Sequence, residues 1–462
     1  MGLKDTIIAL ATPAGSGAIA TIRLSGEKAI EIVSLKFKSL SGKKLAAQKS
    51  HTIHLGHIID EVRTLDEVLV SIFRDPNSYT GENVIEISCH GSPYIQQQII
   101  QLFLRAGCRS ADAGEFTLRA FLNGKLDLSQ AEAVADLISS ENEASHQIAM
   151  NQMRGGFSSE IKALREELLN FASLIELELD FSEEDVEFAD KAQFKNLSDR
   201  IENTLNSLID SFAVGNVIKN GIPVAIIGEP NVGKSTLLNT LLKEERALVS
   251  EIAGTTRDSI EDEISIGGVG FRFIDTAGIR DTTDLVEGMG IQRTFEKVDK
   301  SQIVIYLVEA SKLNIHKAAP KEVIKSVTNK YPEKQVIIVG NKMDKLTIPE
   351  IEHIKSEVPE MLLLSAKEGD GVEYLKKRLL EFVNTGALRN NETIVTNSRH
   401  YDSLLKALEE IQKVKSGMDE GVSGDLLAVD IKAVLDHLGE ITGQVTNDEL
   451  LGNIFANFCI GK

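Results

Sequence analysis

A glycine-bounded loop between an apolar strand and a helix start constrains this chain more than any other stretch. Gly228 to Ser235 fits the pattern G-x-x-x-x-G-K-[ST] and follows the run Val224-Ala-Ile-Ile. The glycines let backbone N–H groups converge on phosphate oxygens, and the helix N-terminus adds positive potential. Lys234 can reach the β- and γ-phosphates, while the Ser235 hydroxyl can ligate Mg²⁺. We therefore predict a phosphate-binding loop.

The pattern of strands and helices divides the sequence into four segments. Residues 1–118 are predicted to be an α+β domain, and residues 217–383 alternate strands with helices, which is typical of a doubly wound sheet. Residues 119–216 and 384–462 have helical periodicity. We expect these two helical segments to pack as one domain into which the α/β domain is inserted, with two separate helical pieces as the alternative.

Three local patterns predict where helices begin and end. Ser129-Gln-Ala-Glu132 and Thr446-Asn-Asp-Glu449 read as capping boxes at helix starts. A helix over about 425–438 is expected to stop at Gly439, because glycine is common just past a helix end.

The charge and cysteine content exclude several classes of protein. The chain has 50 Lys+Arg against 69 Asp+Glu, a net charge of −19, so any RNA contact requires a local basic patch or a partner. Its three cysteines, Cys89, Cys108 and Cys459, have no paired spacing, which fits a reducing compartment. No apolar run is long enough to cross a bilayer, so we expect no membrane contact and a cytoplasmic location.

Two segments further along the chain indicate that the nucleotide is a guanine nucleotide. Asn341-Lys342-Met343-Asp344 follows a strand, and the Asp344 carboxylate can accept from the two donors on guanine's ring nitrogen and exocyclic amine. Adenine presents no such pair of donors and would leave the carboxylate without a partner. Ser365-Ala366-Lys367 follows the next strand and would contact the base through a main-chain N–H.

Two other segments are predicted to contact the γ-phosphate and its Mg²⁺. Asp275-Thr276-Ala277-Gly278 follows a strand, so Asp275 can hold Mg²⁺ through water and the Gly278 N–H can meet the γ-phosphate. Gly254-Thr255-Thr256-Arg257-Asp258 lies where a switch segment is expected, and Thr256 can ligate Mg²⁺ while the γ-phosphate is present.

The residue after Gly278 departs from a common catalytic pattern. Many such enzymes place a glutamine there to orient water, but this chain has Ile279, which cannot hydrogen-bond. Either hydrolysis is very slow or another group orients the water. Asp281, Asp284 and Glu287 are the candidates, and the residues alone do not choose among them.

The whole chain resembles one family, the bacterial and organellar tRNA wobble-uridine modification GTPases (MnmE, also called TrmE). The resemblance rests on motifs spread from one end of the chain to the other: Ala11-Thr-Pro with Ile22-Arg-Leu-Ser-Gly26, Tyr79-Thr-Gly-Glu82, Ala120-Phe-Leu-Asn123, Lys125-Leu-Asp-Leu-Ser-Gln-Ala-Glu-Ala133, Gly254-Thr-Thr-Arg-Asp258 and Phe458-Cys-Ile-Gly-Lys462. The last motif is very specific, because other phosphate-loop GTPases lack it.

The resemblance implies roles for the N-terminal and C-terminal segments. The N-terminal domain is expected to bind 5-formyl- or 5,10-methylene-tetrahydrofolate and to form a homodimer. The positions that match the folate contacts are Arg23, Glu82, Lys125 and Lys462. Cys459 matches the motif cysteine and is a catalytic candidate whose role the resemblance leaves open. The α/β domain is expected to be a Ras-like GTPase domain inserted in the helical domain.

The resemblance also implies a GTPase that K⁺ activates when two GTPase domains meet. The matching K⁺ positions are Asn231, Ser250, Ile252 and Thr255, where Ser250 replaces a frequent threonine. Ser235 and Thr256 hold Mg²⁺, and Glu287 matches the residue that orients water. The complete set expected around GTP is Asn231, Val232, Gly233, Lys234, Ser235, Thr236, Ser250, Glu251, Ile252, Ala253, Gly254, Thr255, Thr256, Asp275, Thr276, Ala277, Gly278, Asn341, Lys342, Met343, Asp344, Ser365, Ala366 and Lys367.

The function implied is GTP hydrolysis coupled to tRNA modification in a heterotetramer with the FAD-dependent subunit MnmG (GidA). The product carries a carboxymethylaminomethyl or aminomethyl group at C5 of the wobble uridine. Two alternatives stay open at this point. The chain could be a GTP-dependent switch in ribosome assembly or signalling, or its N-terminal domain could be an independent folate enzyme.

Overall fold

The computed structural model describes residues 5–180, 191–246, 262–274, 298–313, 331–332, 334–382, 393–446, 448–456 and 458–461. The chain forms two compact units. The first comprises residues 1–139, 149–206 and 402–462, and the second comprises residues 140–148 and 207–401. The domain boundaries that the sequence predicts at residues 118, 216 and 383 stay predictions.

The first unit begins with a seven-stranded sheet. Its strands are β1 (Ile7–Leu10), β2 (Ile19–Ser25), β3 (Phe37–Ser39), β4 (Thr52–Asp60), β5 (Arg63–Phe73), β6 (Val84–His90) and β7 (Arg109–Ser110), in the order β3-β4-β5-β6-β2-β1-β7. All neighbours pair antiparallel except β1 and β7. Helices α1 (Ala29–Lys36) and α2 (Pro93–Arg105) cover one face, and apolar side chains such as Ile22, Ile87 and Phe103 form the core between them.

Helices follow the sheet along the chain. They are α3 (Glu115–Leu122), α4 (Leu128–Ser139), α5 (Glu143–Met153), α6 (Gly156–Asp180) and α7 (Lys191–Asn220). The start of α4 differs from the prediction: Asp127 and Gln130 form the capping box, with bonds of 3.0 Å from the Gln130 N–H to Asp127 Oδ1 and 2.9 Å from the Asp127 N–H to Gln130 Oε1. Ser129 and Glu132 are buried inside α4, so the predicted box was wrong by two residues.

The second unit contains the α/β fold. Its elements are β8 (Ile222–Gly228), α8 (Lys234–Arg246), β9 (Asp262–Ile266), β10 (Val269–Phe273), β11 (Ile303–Glu309), β12 (Gln335–Asn341), α9 (Ile348–Glu357), β13 (Leu362–Leu363) and α10 (Val372–Glu381). The strand order is β13-β12-β11-β8-β10-β9, parallel except for β9, which confirms the predicted doubly wound sheet. Val224, Leu237 and Ile305 lie in its core.

The chain then returns to helices. These are α11 (Ser398–Glu420), α12 (Gly424–Thr442) and α13 (Asp448–Ala456). Helix α12 packs along α6, and Arg165 Nε donates to the Leu435 carbonyl at 3.2 Å. Helices from before and after the α/β segment therefore share one domain, which confirms that the α/β domain is inserted.

Helix α12 passes through Gly439, where the sequence predicted its end. A Cβ at Gly439 would lie 2.9 Å from Val445 Cγ2 and 3.4 Å from Arg165 Nε, so glycine permits a close approach at this point. Gly443, with φ +81°, is the residue that follows the last turn. No helix in the described part of the chain is long and apolar enough to cross a membrane.

Candidate functional site

The loop 228–235 lies between the carboxyl end of β8 and the first turn of α8. Gly228 has φ +149°, and a Cβ there would lie 2.2 Å from the Leu307 carbonyl oxygen on β11. Asn231 and Gly233 have φ values of +63° and +101°. These positive values turn the chain sharply enough to bring successive N–H groups to one side, as a phosphate loop requires.

Lys234 begins α8 and folds its side chain back over this loop. Its Nζ donates to the carbonyl oxygens of Gly228 at 2.9 Å and Glu229 at 2.8 Å. Ser235 and Thr236 follow in the first helical turn. The structure therefore brings together the predicted loop residues 231–236 at a helix N-terminus.

Asn341 joins the phosphate loop to the segment predicted to contact the base. Its Nδ2 donates to the Val232 carbonyl at 2.7 Å, and its Oδ1 accepts from the Ala366 N–H at 2.9 Å. The side chain is buried, so both bonds form away from water. The Thr240 hydroxyl on α8 also donates to the Ala366 carbonyl, at 2.6 Å. These bonds hold together the phosphate loop, the segment Asn341–Asp344 and the segment Ser365–Lys367.

Asp344 is exposed beside this junction. Its Oδ1 accepts from the Ser365 hydroxyl at 2.6 Å. This hydrogen bond is the main reason that the pKa of Asp344 lies below its ordinary value, so the carboxylate is ionised at neutral pH. An ionised acceptor with its orientation fixed is the group that a guanine base requires.

Lys342 precedes Asp344 by two residues and contacts the phosphate loop. It adopts φ +65°, and its Nζ donates to the Asn231 carbonyl at 2.8 Å. The same Nζ lies 3.0 Å from Glu309 Oε2. Glu309, at the end of β11, is a partner that sequence reasoning missed.

Several predicted residues lie outside the described part of the chain. These are Ser250, Glu251, Ile252, Ala253, Gly254, Thr255, Thr256, Asp275, Thr276, Ala277, Gly278, Glu287 and Lys462.

A second set of predicted residues lies in the N-terminal sheet. Arg23 on β2 is opposite Glu86 on β6, with NH2 2.8 Å from Glu86 Oε1. Its guanidinium lies 5.4 Å from the Tyr79 ring centre and 5.7 Å from that of Phe116. A guanidinium between aromatic rings is a favourable cation–π arrangement.

The C-terminal tail lies against this sheet. Ile460 forms an antiparallel bridge with Ala113, and the Gly461 carbonyl accepts from Arg23 NH1 at 3.4 Å. A Cβ at Gly461, where φ is +99°, would lie 2.3 Å from the Leu10 carbonyl oxygen. Cys459 is exposed on this tail. Tertiary structure thus places the tail motif beside Arg23.

Glu82 is held by a buried arginine that sequence reasoning missed. Glu82 accepts from the Ser25 hydroxyl at 2.6 Å and from Arg119 NH1 at 3.2 Å. Arg119 is 1% exposed and also contacts Asp5 at 2.7 Å and Glu115 at 2.9 Å. The spacing of Glu115 and Arg119, four residues apart on a helix, was the available signal.

Lys125 has a different partner from the other predicted folate residues. Its Nζ donates to the Pro76 carbonyl at 3.0 Å. Among the described residues no hydrogen bond or ion pair joins Lys125 to Arg23 or Glu82, although its side chain lies beside Gly81, where a Cβ would be 3.3 Å from Lys125 Cγ. The structure therefore joins Arg23 to the C-terminal tail and Glu82 to Arg119, and it places Lys125 beside the residue that precedes Glu82.

Comparisons with known proteins agree with this geometry. Residues 6–125 match the family model described as GTP-binding protein TrmE N-terminus, and residues 128–459 match the model of the MnmE helical domain. The tRNA modification GTPase MnmE of Flavobacterium psychrophilum is 71% identical over 458 residues, covering 99% of each chain. The protein of that name from Flavobacterium johnsoniae is 69% identical, again over 99% of each chain. That from Bacteroides thetaiotaomicron is 52% identical over 99% of this chain and 100% of its own.

The fold and the junction around Asn341 define a phosphate-loop GTPase domain inserted in a helical domain. The full-length similarity narrows this class further. The chain belongs to the MnmE family of tRNA modification GTPases. It is therefore a GTP hydrolase of that family, as the sequence predicted.

Proposed function

We propose that the chain is a K⁺-activated GTPase whose hydrolysis depends on contact between two GTPase domains. With the FAD-dependent partner MnmG it modifies C5 of the wobble uridine, position 34, of certain tRNAs, using a one-carbon unit of tetrahydrofolate. The observation that best supports the nucleotide part is the ionised Asp344, held by Ser365 in a segment that Asn341 joins to the phosphate loop.

The protein's own groups suit GTP. A Cβ would collide with the protein's own atoms at Gly228 and at Gly233, so these two positions require glycine, whose bare backbone can approach phosphate oxygens closely. Lys234 Nζ donates to the carbonyl oxygens of Gly228 and Glu229 and would exchange these bonds for phosphate oxygens when GTP binds. Asp344 accepts from the base, and its discrimination against adenine follows from the missing donors.

The two metal ions have different candidate ligands. Ser235 lies in the first turn of α8, where its hydroxyl suits Mg²⁺ together with Thr256. Asn231 lies on the exposed side of the loop and would hold K⁺ with Ser250, Ile252 and Thr255. Bound cations at these places would neutralise charge that develops on the transferring phosphoryl group. Glu287 would orient the attacking water in place of the absent glutamine.

The folate site is proposed around Arg23 and Glu82, with Lys125 and Lys462. Arg23 lies between two aromatic rings and beside the tail, which suits an anionic ligand with a planar ring. The Glu82 carboxylate is oriented by Ser25 and Arg119 and would accept from ring N–H donors. Cys459 is exposed on the tail, two residues before Gly461.

Cation dependence tests the hydrolysis mechanism. We expect GTP hydrolysis by the full-length chain to be faster in KCl than in NaCl at the same ionic strength, and equal rates would remove K⁺ from the mechanism. Glu287→Ala should keep GTP binding and lose hydrolysis. Hydrolysis within a few-fold of the wild type would exclude Glu287 from orienting water.

Nucleoside analysis tests the substrate. In a strain that lacks this chain, we expect wobble uridines to lose the C5 modification, and re-expression should restore it. Uridines that stay modified in that strain would contradict the tRNA assignment. Ribosomal subunits that co-purify with the GTP-bound chain would favour the switch alternative instead.

A further inference from the structure

One stretch of the first unit is basic, although the chain as a whole is acidic. Between Glu31 and Asp60 the sequence has five lysines, three histidines and no carboxylate, although the net charge of the whole chain is −19. The lysines are Lys36, Lys38, Lys43, Lys44 and Lys49. A local cluster of positive charge attracts anions, even when the net negative charge of the protein repels them.

The turn that holds Lys43, Lys44 and Lys49 is fixed to the sheet. Leu45 is 4% exposed and lies in the core beneath α1. Arg74 on the other side donates from NH2 to the Ala46 carbonyl at 2.7 Å. Its Nε donates to the Gln48 carbonyl at 3.1 Å. The three lysines therefore project from a rigid turn of seven residues.

The charges of these lysines are not neutralised within the described structure. Lys38, Lys43, Lys44 and Lys49 are exposed, and none forms an ion pair with a carboxylate of the described residues. Lys38 lies on β3 directly opposite His57 of β4, and His57 Nε2 is 3.3 Å from Glu67 Oε2, so Glu67 contacts the histidine rather than a lysine. The surface therefore keeps its positive potential for an external anion.

We propose that the turn 43–49, together with Lys38, is a surface that binds the phosphate backbone of RNA. This inference rests on the proposed function, in which an acidic chain must approach a polyanionic tRNA. Phe37 is buried and the stretch has no Tyr or Trp, so no phenylalanine, tyrosine or tryptophan ring of this stretch is available for bases to stack on. Recognition is thus by charge and independent of sequence, and the tRNA is selected elsewhere.

If the lysines contact RNA phosphates, the affinity for RNA must depend on the salt concentration in a predictable way. Each phosphate neutralised releases counterions and contributes about 0.7 to 0.9 to the slope of log affinity against log salt. Loss of three lysine contacts should therefore reduce that slope by about 2 to 3. At 0.1 M salt the affinity should fall by at least about tenfold.

The test compares two triple variants of the full-length chain. In the first, Lys43, Lys44 and Lys49 become glutamine; in the matched control, Lys195, Lys406 and Lys432, exposed on helices of the same unit, become glutamine. Binding of an unmodified tRNA transcript is measured by fluorescence anisotropy from 50 to about 300 mM KCl. We expect the smaller slope and lower affinity in the first variant only, with GTP hydrolysis unchanged in both. Equal effects in both variants would show that only the net charge of the protein matters, and they would overturn the proposal.

A second readout uses the wild-type chain and does not depend on a variant's folding. Amine-reactive labelling followed by peptide mass mapping should show that tRNA protects Lys43, Lys44 and Lys49. Full reactivity under saturating tRNA would overturn the proposal. So would protection by anionic phospholipid vesicles without protection by tRNA, which would assign the surface to a membrane. The wobble-nucleoside analysis is independent of this result, so the surface can fail while the proposed function stands.

Discussion

The side-chain amide of Asn341 donates to the carbonyl oxygen of Val232 across 2.7 Å. This bond crosses 109 residues of sequence and joins the end of β12 to the middle of the phosphate loop. Because the same side chain accepts from the Ala366 N–H, we expect a change in the phosphate loop to affect the segment Ser365–Lys367, which is predicted to contact the base.

Gly233→Ala should disrupt this junction. A Cβ at residue 233 would lie 2.3 Å from Asn341 Nδ2, and φ is +101°. We expect the affinity for a fluorescent GDP analogue to fall by at least about tenfold, which corresponds to one lost hydrogen bond. Gly369→Ala is the matched control, since φ is +88° there but no atom lies within 4 Å of the added Cβ. A loss of affinity as large in the control would point to backbone strain alone.

Asp344→Asn should change which base is bound. The amide replaces one acceptor oxygen by a donor, which suits the C2 carbonyl of xanthine and conflicts with the amine of guanine. We expect GDP affinity to fall about 10- to 100-fold, the loss expected for a hydrogen bond to a charged group, and XDP affinity to rise. Competition titrations measure both. Asp370→Asn, exposed in the following loop, should alter neither affinity.

Glu263→Gln should alter how stability depends on pH. Glu263 Oε1 lies against Gly270 on the neighbouring strand, and desolvation together with nearby Glu141 raises its pKa to about 7. The ordinary value is 4.5, so the folded state binds the extra proton between pH 4.5 and 7 and the wild type loses stability as pH rises through that range. The hydrogen bond from Asn142 and the charge of Arg272 lower the pKa of Glu263, but by less than the other two causes raise it.

Thermal unfolding between pH 5 and 8 measures this effect. The glutamine variant should lose less stability with rising pH and be more stable than the wild type above pH 7. The difference should be on the order of 1 kcal/mol or less, because water screens the exposed part of the side chain. Glu352→Gln, an exposed position on α9, is the control. An identical pH profile for wild type and Glu263→Gln would contradict the raised pKa of Glu263.

Arg119→Met should destabilise the N-terminal sheet. Burial by itself would raise the pKa of Glu115, but hydrogen bonds from Arg109, the Asp112 N–H and Arg119 lower it on balance. Without Arg119, the carboxylates of Asp5, Glu82 and Glu115 lose a shared buried partner.

The expected loss is about 3 to 5 kcal/mol, typical of a buried charge left unpaired. Calorimetry of the full-length chain should show it in the transition of the first unit. Arg105→Met removes an exposed pair with Asp60 and should cost less than about 1 kcal/mol. If both variants unfold alike, the buried network does not stabilise this sheet.

The sequence by itself determined the nucleotide-binding segments and the doubly wound sheet. The phosphate loop is contiguous, so its strand, glycines, lysine and helix are visible in twelve residues. The alternation of strands and helices likewise depends on neighbours in the chain, and the apolar run that begins at Val224 lies inside β8 (Ile222–Gly228). Local chemistry of this kind needs no knowledge of distant contacts.

Tertiary structure decided what depends on residues far apart in the chain. Gly439 looked like a helix end, but the Val445 and Arg165 side chains close to it explain the glycine. Arg119 was not singled out from the sequence, yet carboxylates of three separate segments, Asp5, Glu82 and Glu115, contact it in the structure. A motif records which groups a segment offers, whereas the burial and partners of each group depend on which other segments pack against it.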